Sequence, residues 1–268
     1  MKRTANKPVV ATADNAASSL RSGRFFSAVP HFKRCVRKMK SILRWISRRP
    51  KLSLLLAAIA WLLITPIIIV TRTYFIVHSG DSPSAYPLAA PEVEEQTEGF
   101  TCGVHALHTL YRAYGLDPSE ERVRWRLGVD TKAVCWLGDS TGALHPDLFM
   151  VLGQDHFAVE ELDPIRAESW DQILDHLAER HLAVFLIKRR ENGNLHWVTV
   201  GAGSQKEIQV YDSLHPEPYL EGEDFLREHV ISALLVQPEL DRKRGLTASF
   251  RDHWDGFQEL RAASARIK

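Results

Sequence analysis

The chain is poor in the residues that build several common kinds of site. It has three cysteines, Cys35, Cys102 and Cys135, too few for a disulfide framework. His145, His156, His176, His181 and His215 are scattered without metal-ligand spacing, so neither a metal nor another cofactor is expected. There is no glycine-rich phosphate loop of the nucleotide-binding kind and no internal repeat. Acids are almost missing from the first 51 residues, which carry 14 Lys/Arg against Asp14 alone, a net charge of +13. The remainder holds 20 Lys/Arg and 32 acids, a net charge of −12. Halves so unlike belong in different environments.

Between the halves lies a run with no charge at all. Leu52 to Val70 is 19 residues long, bracketed by Lys51 and Arg72. That is close to the roughly 20 residues a helix needs to cross the hydrocarbon core. Pro66 is tolerated in such a helix. No small-x-small cleavage site follows, which argues against a removed signal peptide. Arg44, Arg48, Arg49 and Lys51 precede the run, and only Arg72 stands close behind it. The positive-inside rule then places the N-terminus in the cytoplasm and the rest beyond the cytoplasmic membrane. The basic stretch with Phe25, Phe26 and Phe32 has a nucleic-acid reading, but beside a span it reads better as contact with anionic lipid.

The pattern divides the chain into a basic segment (1–51), a transmembrane helix (52–70), a linker rich in proline and small residues (71–91), a folded domain (92–237) and a charged tail (238–268). Within the domain, Thr101 is placed to cap a helix from Cys102 to Tyr114. Further helices are expected over 119–127, after Ser140-Thr141-Gly142 to near Gly153, and over 168–180. Strands are expected at 156–162, 182–187, 195–201, 207–211 and 231–237, with a short helix near 224–229. Helices first and then strands on short loops indicate an α+β domain with a mostly antiparallel sheet. In the tail, Phe250, Trp254, Phe257 and Leu260 have near-helical spacing.

Four residues in this order carry chemistry: Gln96, Cys102, His196 and Asp212. Cys102 opens a helix, whose dipole favours thiolate over thiol. Gly103 is expected to leave room for a substrate backbone near the sulfur. His196, in Leu-His-Trp-Val-Thr-Val, supplies a base, and Asp212, in Val-Tyr-Asp-Ser, can fix its tautomer. Gln96 and the Cys102 N–H are candidate oxyanion donors. Strand alternation turns Trp197 to the face opposite His196. Each element alone is weak. A lone strand-edge His or Asp is usually a structural hydrogen-bonder, His105 and His108 read as packing or surface residues, and Cys102 with Cys135 could form a disulfide in an oxidising compartment. The ordered set weighs more than its members.

That set, with Thr141-Gly142 between its halves, resembles the bacteriocin-processing, double-glycine leader peptidases, family thirty-nine of the papain-like cysteine peptidases. The resemblance covers about residues 92–237. It implies a papain-like fold with Cys102 as nucleophile, His196 as base, Asp212 as orienter and Gln96 as oxyanion donor. Two features depart from the family. Ser213 stands where proline often follows the aspartate. Typical members are cytoplasmic and fused to an exporter, whereas here a single span precedes an external domain, so cleavage after Gly-Gly is not carried over. The expectation is a membrane-anchored cysteine peptidase acting on a peptide or protein, with no nucleic-acid partner and an open oligomeric state. The alternatives are a papain-like transglutaminase or amidase acting on cell-wall peptides, and a non-catalytic binding module with a Cys102–Cys135 disulfide.

Overall fold

A computed structural model of the protein describes residues 50–75, 81–88, 90–129, 142–204 and 207–267. Cys35, Cys135 and Thr141 lie outside these residues. The chain divides into two units, Met1–Ala58 and Ile59–Lys268, and helix α1 runs from Pro50 to Phe75. At 1.5 Å per residue its 26 residues span roughly 39 Å, and their mean hydropathy is 2.6. The helix is long and apolar enough to cross a membrane. It runs past the expected end at residue 70, so residues 71–75 are helix and not linker. Within the second unit, Val70 packs against Met150, and the Thr73 hydroxyl donates to the Arg126 carbonyl at 3.1 Å.

The remaining elements are α2 (Cys102–Ala113), α3 (Glu120–Arg126), α4 (His145–Gln154), β1 (Phe157–Leu162), α5 (Ala167–Ala178), β2 (Leu182–Lys188), β3 (Leu195–Ala202), β4 (Glu207–Tyr211), β5 (Tyr219–Gly222), α6 (Glu223–His229), β6 (Val230–Pro238) and α7 (Leu246–Arg266). The strands form one antiparallel sheet in the order β1-β6-β2-β3-β4-β5. Alternation sorts the central strands onto two cores. Leu182, Val184 and Leu186 of β2 join Leu107, Leu110 and Tyr111 of α2 on one face. Ala183, Phe185 and Ile187 join Trp170 and Ile173 of α5 on the other. Both faces of β2 are therefore covered, which is why it reads as an unbroken apolar run, Leu-Ala-Val-Phe-Leu-Ile.

The mixed helix and antiparallel-sheet class is as expected. β5, an edge strand bonded only to β4, was not foreseen. The segment after Pro238 turns back as α7 and packs along α4, burying Ser249, Asp252, Gly256, Glu259 and Ala263. Gly256 is required there: a Cβ would lie 2.6 Å from the Pro146 Cα and 2.7 Å from the His145 carbonyl oxygen. α7 is thus pressed onto the first turn of α4.

Candidate active site

The Thr199 hydroxyl of β3 donates to the Ala106 carbonyl of α2 at 2.7 Å, with both residues buried. Cys102 lies one turn before Ala106, and His196 three residues before Thr199. That single bond sets the start of α2 near the start of β3. The register Thr199↔Tyr211 sends the chain leaving β4 back along β3, so Asp212 arrives beside His196. His196 Nε2 and Asp212 Oδ1 are 2.6 Å apart. The Leu214 N–H also donates to Asp212 Oδ1, at 2.8 Å, and His215 Nε2 stands 3.9 Å from Oδ2. With Nε2 engaged by the carboxylate, Nδ1 is the nitrogen left for the Cys102 side chain, which acts on the His196 ionisation.

These contacts move both ionisations. Burial alone would lower the His196 pKa. The hydrogen bond to Asp212, then the hydrogen bond and charge of Cys102 and the charge of Asp212, overcome it and raise the value to about 9. For Asp212, burial pushes upward, but the hydrogen bond and charge of His196, the Leu214 N–H and His215 hold it below the ordinary carboxylate value. At neutral pH the pair is imidazolium and carboxylate. Cys102 itself is buried and in no disulfide among the described residues.

Gln96 is tied to the residue after Asp212 twice. Its N–H donates to the Ser213 carbonyl at 2.9 Å, and the Ser213 hydroxyl donates to Gln96 Oε1 at 2.8 Å. With Oε1 occupied as an acceptor, the amide NH₂ is the end left to donate elsewhere. Proline at position 213 could not make the hydroxyl bond.

Two local expectations change. Thr101 is the N-cap residue of α2, as expected, but its side chain makes no capping bond; the hydroxyl donates instead to the Glu98 carbonyl at 2.9 Å. Gly103 is not spare room for a substrate. A Cβ at Gly103 would lie 2.5 Å from Ala143 Cβ and 3.1 Å from Trp197 Cδ1, so the glycine admits these two neighbours. His105 and His108 are buried; His108 bonds to Glu94 at 3.0 Å and to the Pro118 carbonyl at 2.9 Å.

A cavity of about 200 Å³ opens beside Cys102 and is lined also by His145, Trp197, Leu260 and Ile267. Trp197 donates from Nε1 to the Ala143 carbonyl at 3.0 Å. The sequence reading missed the placing of His145, of Trp197 beside the thiol, and of α7 at this cavity. A roomier space of about 1000 Å³, lined by Ile68, Phe75 and Trp125, holds neither thiol nor imidazole and lies apart from this chemistry.

No family model matches the chain, and the search of curated proteins gave no match. Solved structures do match. One is the peptidase domain of Streptococcus ComA, described as a bi-functional ABC transporter involved in a quorum sensing pathway. It shows 12% identity and a TM-score of 0.44, over 56% of this chain and 100% of that one. Another is a double glycine motif protease from an AMS/PCAT transporter in complex with the leader peptide. It shows 15% identity and a TM-score of 0.41, over 59% of this chain and 99% of that one.

Proposed function

We propose that the protein is a cysteine peptidase, carried on a single membrane span, that hydrolyses peptide bonds with Cys102, His196, Asp212 and Gln96. The observation that carries this reading is the buried His196–Asp212 pair, Nε2 to Oδ1 at 2.6 Å, whose imidazole pKa is raised to about 9 by Asp212 and by the Cys102 side chain. An imidazolium bonded to a cysteine side chain favours the thiolate, the reactive form of a sulfur nucleophile.

The reaction then runs in two halves. The Cys102 sulfur attacks the scissile carbonyl carbon, and the S–C bond forms as the carbonyl π electrons move to oxygen. The Cys102 backbone N–H and the Gln96 amide donate to that oxyanion. His196 gives its proton to the departing amine as the C–N bond breaks, leaving a thioester. Neutral His196 next takes a proton from water, whose oxygen attacks the thioester. The S–C bond breaks, the acid leaves, and thiolate and imidazolium are restored. Asp212 holds the ring with Nδ1 toward the sulfur throughout and balances its charge.

For topology, the +13 segment before α1 supports a cytoplasmic N-terminus and a catalytic domain beyond the cytoplasmic membrane. The test of the activity is incubation of the full chain with a thiol-directed activity probe and a peptide library. Wild type and Cys135→Ser are expected to label and to cleave. Cys102→Ala is expected to do neither while keeping its thermal transition. Cleavage retained in Cys102→Ala refutes the proposal, and so does a Cys102–Cys135 link in non-reducing mass analysis of active protein.

A further inference from the structure

His145 opens α4 and lines the cavity beside Cys102. Its residue exposure is 1%, and neither ring nitrogen has a hydrogen-bond partner. A buried polar ring left unpaired is costly, and native interiors rarely tolerate one without a use. Burial, and secondarily the charge of Arg266, lower its pKa to about 4. At neutral pH the ring therefore offers one donor and one acceptor. Trp197 stacks edge-on against it, with ring centroids 4.9 Å apart.

The rest of the cavity wall is mostly apolar, with Leu186 and Leu195 from the sheet and Leu260 and Ile267 from the C-terminal segment. At about 200 Å³ it falls short of the roughly 300 Å³ at which drug-sized pockets begin, so it suits a single side chain. Its far wall is fixed. Arg266 at the end of α7 donates to the Ile231 carbonyl at 3.0 Å and pairs with Glu161 at 3.0 Å, Glu259 at 3.1 Å and Asp163 at 3.2 Å.

We propose that this cavity is the subsite for one apolar substrate side chain adjoining the cleaved bond, and that His145 hydrogen-bonds the peptide group that bears it. The proposal rests on the cysteine-peptidase reading. It makes α7, a segment outside the resemblance, a wall that selects the substrate.

The test uses the full-length protein and two tripeptide aldehydes that differ only in Leu or Ser beside the aldehyde. Cys102 adds to the aldehyde carbon as a hemithioacetal, and binding is read as protection of Cys102 from iodoacetamide. The Leu probe is expected to bind at least about tenfold more tightly than the Ser probe. His145→Leu is expected to weaken the Leu probe by about five- to tenfold. Ile267 is 38% exposed at the rim. Ile267→Trp should therefore fold normally and, by narrowing the cavity, erase the preference for Leu; it decides the matter if His145→Leu has a lowered Tm. Equal protection by the two aldehydes overturns the subsite alone, as does a Leu preference unchanged in both variants. If iodoacetamide labels Cys102 but neither aldehyde protects it, the peptidase reading falls and the subsite with it.

Discussion

Asp212→Asn is the sharpest probe of the site, because it removes a charge while keeping size and shape. In the wild type His196 is raised from 6.5 to about 9, which corresponds to about 3 kcal/mol in favour of the imidazolium. The folded pKa lies above the unfolded one. This contribution to stability is therefore complete below pH 6.5 and is lost as pH rises through about 9. In Asp212→Asn the amide oxygen can still accept the Nε2–H, but its charge is gone, and burial, which lowers the pKa, is no longer overcome to the same extent. The ring titration should fall back toward 6.5. The assays are an NMR titration of the His196 ring, and urea unfolding at pH 6 and pH 10. Wild type should lose up to about 3 kcal/mol more than Asp212→Asn across that interval. A ring pKa unchanged by the substitution would refute the reasoning, since the Asp212 hydrogen bond is the largest of the contributions that raise it.

Other expectations are independent of that titration. Gln96→Ala should lower kcat by about 10²–10³ with little change in KM, the cost of losing an oxyanion donor; equal losses in kcat and binding would instead mark a structural role. Ser213→Ala should lower kcat in the same direction by about tenfold, and Ser213→Thr should restore it, because only the hydroxyl that holds Gln96 Oε1 is at issue. Trp197→Phe loses the bond to the Ala143 carbonyl and should cost about 1 kcal/mol in urea unfolding, while also altering KM because Trp197 lines the cavity. A reporter fused after residue 90 should be active only when exported; protease protection of the C-terminal domain in spheroplasts would reverse the topology.

Much of the fold is legible because its elements have clean periods. The apolar face of α2 and the buried runs of β2, β3 and β6 are visible as residue patterns, and their bounds fall within a residue or two of expectation. β5 was illegible for a local reason. Tyr-Leu-Glu-Gly follows Pro216 and Pro218 and sits half-exposed at the sheet edge, so neither composition nor alternation marks it. α7 was visible as a spacing of aromatics, but its seat was not. Phe250, Trp254 and Phe257 remain largely exposed, and the buried face is built from Ser249, Asp252, Gly256, Glu259 and Ala263. A polar buried face has no hydrophobic signature.

The site follows the same division. Gln96, Cys102, His196 and Asp212 stand out because a thiol, a base, an orienter and an amide donor occur in an order that acyl chemistry can use. Their juxtaposition is written in no short stretch of chain. It depends on the Thr199–Ala106 bond, between residues 93 apart, and on the Ser213–Gln96 bond, between residues 117 apart. Ser213 was readable only as a missing proline, and its use emerges only once Gln96 lies beside it. His145 was passed over because a search for metal ligands asks whether several histidines converge. An imidazole that serves alone, buried beside a thiol and against Trp197, has no companions to reveal it. Residue type and order thus nominate the reacting groups. The groups that position them, and those that line the space beside them, are specified by long-range packing.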